Sequence, residues 1–243
     1  MKILKFTKIL TEMRFKSLLL TPLLIAMVAV PTISVAAQQR VKVGTTYNFA
    51  VLAGTTITNT GTTSIKGSIG LFPGTAFTGQ ESATVNGNVE LAKVTALKAK
   101  HDLTTAYNDA DERKDVTRIP TELGGITLTP GTYDSASGTF EITGNLTLDA
   151  QGDPNAVFIF KTASTLVTAS GSSVTPINNA QLCQTFWKVG SSATLGTNSR
   201  IVGHVVALTS ITANTGAKVQ GQLFAQNGAV TLDSNSISNR NSH

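Results

Sequence analysis

Short threonine-bearing segments recur along this chain, and the interval between them constrains the fold more than any other feature. The two N-terminal segments are 20 residues apart, and the later ones follow at steps of 26, 18 and 19 residues. The segments are "ITNTGTTSIKG" from Ile57, "FTGQESATVNG" from Phe77, "VTASGSSV" from Val167, "ATLGTNSRIVG" from Ala193, "ITANTGAKVQG" from Ile211 and "VTLDSNSI" from Val230. The step of 26 indicates an insertion. A repeat of this length is a unit that buries its apolar side by stacking on its neighbours.

Runs of residues typical of β-strands separate these segments. They are "SIGLF", "NVELA", "AVFIFK", "HVVAL" and "QLFAQ", and Gly, Asn and Ser punctuate them. About three short strands per repeat predict one coil of a β-solenoid, so the fold class is mainly β. A β-sandwich built from ordinary hairpins is the alternative, because Asn-Gly pairs at 86–87 and 227–228 suit hairpin turns.

Residues 88–115 break the β pattern. Small or apolar residues recur there at steps of three and four, which predicts an α-helix over about 89–114 with a narrow stripe on one side. The stripe consists of Ala92, Ala96, Ala99, Leu103, Ala106 and Ala110. Small side chains allow close approach to a flat partner.

The partner of this helix is predicted from strands that are apolar on both sides. In the aligned repeats, Phe158, Val206 and Phe224 superpose on the side opposite to Val157, Val205 and Leu223. A strand that is apolar on both sides needs cover on both sides. The helix is therefore expected to lie along that face of the solenoid and to leave another face uncovered.

The first 37 residues have the pattern of a secretory signal peptide. A basic stretch precedes the apolar run "LLLTPLLIAMVAV" and the small-residue site "SVAA", which predicts cleavage near residues 36–38 and an exported domain over 38–243. A leader retained as a membrane anchor is the alternative. After removal of the leader, the chain has 14 basic and 13 acidic side chains, so its formal charge falls from +5 to +1. This balance predicts neither a nucleic-acid nor a membrane partner.

Ionisable residues form no recognisable catalytic motif. Cys183 has no base at a spacing typical of a nucleophile and is interpreted as a small buried residue. His204 is interpreted as a structural histidine, because no second metal ligand is spaced to help it. Asp149 and Asp153 suit a turn with side-chain hydrogen bonds better than a calcium loop. The sequence therefore predicts no enzyme, no metal and no cofactor.

The recurring threonines are the remaining candidate site. Thr212 in "ITANTG" faces outward if Ile211 and Ala213 face the core, so equivalent threonines form a ladder at the strand spacing of about 4.8 Å. A second hydroxyl three residues later lies at a corner of the coil. The candidate residues are Thr58, Thr78, Thr168, Thr194, Thr212 and Thr231, with Thr197, Thr215 and Ser234 at the corner. The competing interpretation is that threonine here is only a good strand former.

The chain resembles the microbial ice-binding (antifreeze) protein family. The matching strings are "FAVLAGTTITNTG", "GSIG", "LTPGTY", "LTLDAQGDPNAVFIFK", "FWKVGSSATLGT" and "GQLFAQNGAVTLDSNSI", together with the helix. The resemblance implies a right-handed, discontinuous β-solenoid with one long α-helix along one face. In the family a flat solenoid face binds ice, and some bacterial members use a Thr-(Ala/Gly)-x-(Thr/Asn) pattern. "TANT" from Thr212 fits that pattern fully, whereas the other repeats fit it in part.

The function implied by the resemblance is that of an exported, non-enzymatic protein that adsorbs to ice. It is expected to act as a monomer, to inhibit ice growth and recrystallisation, and to produce thermal hysteresis. A structural or adhesive β-solenoid without ice affinity and a polysaccharide-active β-helix enzyme are the alternatives. The enzyme would need clustered acidic and basic residues, which the β region lacks.

Overall fold

The computed structural model describes residues 38–239. The predicted signal peptide therefore lies outside the described residues. The described part contains one α-helix, α1 (Val94–Glu112), and three short 3-10 helices at Gly44–Asn48, Gln80–Ser82 and Leu182–Gln184. Its strands are β1 (Phe49–Ala53), β2 (Thr56–Thr60), β3 (Thr63–Lys66), β4 (Ser68–Leu71), β5 (Ala76–Thr78), β6 (Ala83–Asn86), β7 (Val89–Leu91), β8 (Val116–Ile119), β9 (Thr127–Leu128), β10 (Gly131–Ser135), β11 (Phe140–Ile142), β12 (Asn145–Asp149), β13 (Phe158–Thr162), β14 (Leu166–Thr168), β15 (Ser173–Ile177), β16 (Thr185–Val189), β17 (Ala193–Leu195), β18 (Arg200–Ala207), β19 (Ile211–Ala213), β20 (Lys218–Ala225), β21 (Val230–Asp233) and β22 (Ser236–Ser238).

The strands stack as parallel rungs and form the sides of a solenoid. One sheet has the order β11, β14, β17, β19, β21, β2, β5, and its outer surface is called the threonine face. A fifteen-stranded sheet supplies the other two sides. The predicted β-solenoid is confirmed.

The fifteen-stranded sheet bends within its two longest strands. Gly203 of β18 pairs with Gly221 of β20, and a Cβ on Gly221 would lie 1.9 Å from the carbonyl oxygen of Gly203. Only glycine allows this close backbone approach. We call one side of the bent sheet the groove face. It consists of β6, β3, β22, the halves of β20 and β18 that precede these glycines, β15, β12 and β9. We call the other side the helix face. It consists of β7, β4, β1, the halves of β20 and β18 that follow these glycines, β16, β13, β10 and β8.

Strands from both ends of the described chain share one coil. β21 and β22 supply its threonine and groove sides, and β1 supplies its helix side by pairing with β20 and β4. β2 then pairs with β21 and continues the stack. The N-terminal coils are therefore stacked on the C-terminal ones, which is the discontinuity that the resemblance implied.

Helix α1 connects the two ends of this stack. It follows β7 at one end and leads to β8 at the other. At 1.5 Å per residue its 19 residues span about 28 Å, or roughly six rungs of a β-sheet. The helix therefore carries the chain from β7 back along the solenoid, so that the later coils begin with β8 at the opposite end of the stack.

The small-residue stripe of α1 packs on the helix face, as predicted, except that Ala92 precedes the helix and is exposed. Ala96, Ala99, Leu103, Ala106 and Ala110 are fully buried. The apolar partners of the stripe include Leu52, Val157, Ile159, Phe186, Val206 and Phe224. The alanines let the helix axis approach the sheet, while Leu103 supplies a large apolar contact whose burial stabilises the fold by about 1.5–3 kcal/mol.

Two details of the sequence prediction are wrong. The helix begins at Val94 rather than near 89, because residues 89–91 form β7 and complete a rung on the helix face. Phe158 points into the solenoid core, and Val157 packs towards the helix instead. Val206 aligns with Lys161 rather than with Phe158, and a displacement by an odd number of residues exchanges the two sides of a strand.

A second core fills the inside of the coils. Its aromatic part is a stack of Tyr133, Phe160 and Trp187 from three successive rungs. The rings of Phe160 and Trp187 are 3.9 Å apart at their centroids and nearly parallel, with an interplanar angle of 10°. Ring stacking of this kind follows from the parallel register and makes the coil stiff.

Lys100 is a buried cation between α1 and the helix face. Its side chain is 7% exposed, and its Nζ donates hydrogen bonds to the carbonyl oxygens of Ala225, at 2.9 Å, and of Gln226. Burial lowers the pKa of Lys100 from its ordinary value of 10.5 to about 8. The folded protein therefore releases this proton at a lower pH than the unfolded chain.

The free energy of unfolding is predicted to rise as the pH increases from about 8 to 10.5. In this interval the unfolded chain binds the Lys100 proton more tightly than the folded one does, so deprotonation favours the fold by about 3 kcal/mol. Urea unfolding at several pH values checks this, with Lys100→Met to remove the titration and the exposed Lys98→Met as a control. A Lys100→Met profile parallel to that of the unaltered protein would contradict it.

Candidate functional site

The threonine face carries an unbroken column of five threonines on adjacent rungs. Thr78 pairs directly with Thr58, Thr58 with Thr231, Thr231 with Thr212, and Thr212 with Thr194. All five side chains are exposed or half-buried. The pairing sets successive hydroxyl and methyl groups one strand spacing apart, about 4.8 Å. This column, called the central column, was predicted from the sequence.

The residues beside the central column hold it in place from inside the coil. Ile57, Val230, Ile211 and Ala193 precede the threonines and are buried in one stacked line. Because successive residues of a strand point to opposite sides, burial of these neighbours directs the threonines outward. β-Branched threonine also has few χ1 states, so the column is ordered before it meets a ligand.

A second column of small, mostly polar residues lies two residues upstream. The register of the strands and their backbone hydrogen bonds aligns it rung by rung. Its members are Thr139, Thr165, Ser192, Ser210, Ala229, Thr56 and Ala76. The sequence analysis missed this column, although the two-residue periodicity of strands would have found it, because residues i and i+2 share a side.

A third column lies downstream, at the corner where the threonine face meets the groove face. Thr197 and Thr215 belong to it, as predicted: the amide of Asn198 donates to the carbonyl of Thr215, and that of Gly216 to the carbonyl of Asp233. Its members are Ser170, Thr197, Thr215, Asp233 and Thr60. The second and central columns are about 6.7 Å apart, twice the rise per residue of a strand.

The predicted place of Ser234 in the corner column is wrong. Asp233 occupies that position, because it pairs with Thr60, while Ser234 adopts a left-handed backbone conformation with a φ of 52°. The turn after β21 is one residue shorter than the turns that contain Gly196 and Asn214. The corner position of this rung is therefore two residues after Thr231, at Asp233, rather than three residues after it, at Ser234.

Asp233 is nevertheless integrated into the hydroxyl network. The hydroxyl of Thr215 donates to Oδ2 of Asp233, and that of Ser234 donates to Oδ1 at 3.1 Å. These bonds fix the carboxylate between two neighbouring side chains and orient the Thr215 hydroxyl.

The predicted alignment of Thr168 with the central column is also wrong. Val167 pairs with Thr194, and Thr168 pairs with Leu195 on the inner side, where it is 3% exposed. The Oγ1 atom of Thr168 accepts a hydrogen bond of 2.9 Å from the amide of Gly196. The 26-residue step concealed this one-residue shift. Beyond Thr194 the central column continues with Val167 and Glu141, so its run of hydroxyls ends there.

Structural roles account for the other polar residues that the sequence singled out. The amides of Gln151 and Asn155 donate to the carboxylates of Asp149 and Asp153, both at 2.8 Å, so these aspartates form the predicted turn.

Within residues 38–239, no three His, Cys, Asp or Glu side chains are grouped so that they could hold a metal ion. No helix in this part of the chain is long and apolar enough to cross a membrane.

His204 has the predicted structural role. It is 5% exposed, its Nδ1 contacts Oε1 of Gln222, and its Nε2 lies 3.3 Å from the carbonyl oxygen of Cys183. The amide nitrogen of Gln222 donates in turn to backbone carbonyls, including that of Phe49 at 2.6 Å. Burial lowers the pKa of His204. Cys183 itself is half-buried rather than buried as predicted.

Comparison with known proteins connects this geometry to a family. Residues 51–238 match a family model described as "Ice-binding-like". An ice-binding protein of Nostoc sp. (strain HG1) is 48% identical over 200 residues, which cover 81% of this chain and 73% of that protein. The crystal structure of an ice-binding protein from an Antarctic biological consortium is similar with a TM-score of 0.81 and 43% identity, covering 83% of this chain and 92% of that one. The crystal structure of an ice-binding protein from the Antarctic ascomycete Antarctomyces psychrotrophicus has a TM-score of 0.80 and 36% identity, covering 84% and 100%.

The inward position of Thr168 generates a stability prediction. Thr168→Val keeps the shape but leaves the buried amide of Gly196 without its acceptor, which is expected to lower the free energy of unfolding by about 1–3 kcal/mol. The neighbouring exchange Val167→Thr places a hydroxyl on the surface and is expected to change it by less than about 0.5 kcal/mol. Chemical denaturation of both variants measures the difference. The reverse ranking would show that the register is shifted by one residue.

Proposed function

The chain belongs to the ice-binding-like family, and from that membership we infer that it is an ice-binding protein whose contact surface is the threonine face. The observation that carries the choice of face is the column of five directly paired threonines with a column of small, mostly polar residues on either side. The helix covers one of the remaining sides of the coil, and the other has a concave surface.

The chemistry of the threonine face suits a solid made of water. Each threonine offers a hydroxyl that can hydrogen-bond a water molecule and a methyl group that orders water beside it. The rectangular array of about 4.8 by 6.7 Å repeats these groups at intervals close to lattice spacings in ice. Asp233 is the single charged side chain in the three columns between β17 and β5, so few ions compete for water.

Affinity in this arrangement comes from many weak contacts rather than from a pocket. Ordering mobile side chains on binding costs free energy, and the backbone pairing and β-branched side chains of this face avoid most of that cost. Adsorption of such a surface to ice is expected to slow crystal growth and recrystallisation and to produce thermal hysteresis. The proposal assigns the protein no catalytic role and treats it as a monomer.

A charged, flexible side chain in the middle of the central column is predicted to abolish this activity. Thr212→Lys would hold its ammonium group and hydration shell against the ice front, and we expect loss of ice shaping with an unchanged fold. The matched control is Thr84→Lys, since Thr84 is an exposed strand threonine on the groove face. Crystal shape and thermal hysteresis in a nanolitre cryostat provide the readout, and circular dichroism checks folding.

This result would be extended by Thr58→Lys and Thr194→Lys at other rungs of the same column. If all three folded variants still shape ice while Thr84→Lys does not, the contact surface lies elsewhere on the solenoid.

Export through the N-terminal segment is a separate part of the proposal. The basic and apolar pattern of the first 37 residues supports it, and we expect cleavage near residues 36–38. The intact mass of the protein recovered from the medium or the periplasm of an expressing bacterium tests this. A mass that retains the whole segment would contradict cleavage.

A further inference from the structure

The groove face contains a concavity of about 590 Å³ that is separate from the threonine face. It arises where two strands diverge: β15 keeps register with β12 through five residue pairs, but it pairs with β18 only at Ser173 and Arg200. Beyond Ser173 the strand stays paired with β12 but not with β18, and it leads directly into the segment that carries the insertion. The insertion therefore opens a groove along one side of the solenoid.

Three cationic side chains line this groove. Arg200 and Lys218 are direct neighbours on adjacent rungs, and Lys66 lies two rungs beyond Lys218 on β3. None of the three has an ion pair or a side-chain hydrogen bond among the described residues, and no described residue that lines the groove is an Asp or Glu. The local charge is therefore strongly positive although the chain after the leader is nearly neutral.

Some basic residues elsewhere on the described surface are neutralised in ion pairs. Lys93, Arg113, Arg118 and Lys188 each pair with a carboxylate. Like charges directly opposite each other in a sheet destabilise it. The Arg200 and Lys218 pair thus costs stability that a bound anion would recover.

The neutral part of the lining consists of hydroxyl and amide groups. Ser64, Ser236, Ser238, Thr175 and Gln220 all lie on it. Such groups exchange hydrogen bonds with sugar hydroxyls, and the absence of aromatic rings from the described lining leaves charge as the main attraction. The rung spacing is also close to the rise of one extended pyranose unit.

We propose that this groove binds a linear acidic polysaccharide, whose carboxylate or sulfate groups meet Arg200, Lys218 and Lys66 in succession. The backbone of the polymer would cross the rungs, so that acidic groups on successive sugars reach cations on successive rungs. Because the groove and the threonine face are different sides of the same coils, the protein could hold the polymer and ice at the same time.

The test measures binding of a fluorescently labelled oligoalginate of six sugars to the domain over residues 38–243 at low salt. The groove variant is Arg200→Gln/Lys218→Gln/Lys66→Gln. The matched control, Arg40→Gln/Lys98→Gln/Lys114→Gln, removes the same number and type of charges from exposed positions outside the groove. We expect the groove variant to bind about tenfold or more weakly and the control to stay within about twofold. Added salt should weaken binding to the unaltered protein.

The outcomes that overturn the proposal are equally specific. Absence of saturable binding, or equal losses in the two triple variants, would remove the groove as the site. Competition by inorganic phosphate at similar concentration would show a free-anion site, and equally tight binding of single-stranded DNA would show that the groove does not select sugars. Loss of oligoalginate binding in folded Thr212→Lys would place the polymer on the threonine face.

The ice assay keeps this proposal distinguishable from the proposed function. The groove variant should still shape ice, because none of its substitutions lies on the threonine face. Thr212→Lys should still bind oligoalginate. Loss of ice shaping in the groove variant would therefore show that the threonine face has been assigned wrongly, and loss of oligoalginate binding in Thr212→Lys would show that the groove has been assigned wrongly.

Discussion

Backbone hydrogen bonding between parallel rungs is the interaction on which this structure depends. It fixes each strand at about 4.8 Å from the next and fixes the register residue by residue. Side chains alternate between the two sides of a strand, so the register alone decides whether a residue belongs to the core or to the surface. Thr212 and Thr231 reach the surface for this reason, and Thr168 is buried for the same reason.

The remaining parts of the fold protect that register. β1 closes the coil begun by β21 and β22, so the stack is continuous although the chain is not. Helix α1 covers the helix face with a stripe of alanines that permits close packing without large side chains. Inside the coils, stacked Phe160 and Trp187 join adjacent rungs. A surface that recognises a crystal needs this stiffness, because motion of one rung would spoil the match of all the others.

Sequence reasoning predicted the fold and most of the central column because both depend on repetition. The recurrence of a threonine directly after an apolar residue, at steps of 18 to 20 residues within each half of the chain, placed Thr58, Thr78, Thr194, Thr212 and Thr231 on one line. It failed where the number of residues between successive strands changes. The insertion before β16 misplaced Phe158 and Thr168, and the short turn after β21 put Asp233 where Ser234 was expected. Such shifts are invisible in composition, because only the backbone pairing records them.

The distribution of charge follows from the same coil geometry. Each coil has three sides, and a residue's position within the repeat assigns it to one of them. On the threonine face, the single carboxylate in the three columns between β17 and β5 is that of Asp233, which accepts hydrogen bonds from the hydroxyls of Thr215 and Ser234. The unpaired cations Arg200, Lys218 and Lys66 lie on another side. One short repeat can therefore carry a nearly uncharged surface and a strongly charged one, since neighbouring sides of a coil are only a few residues apart in sequence but face different directions.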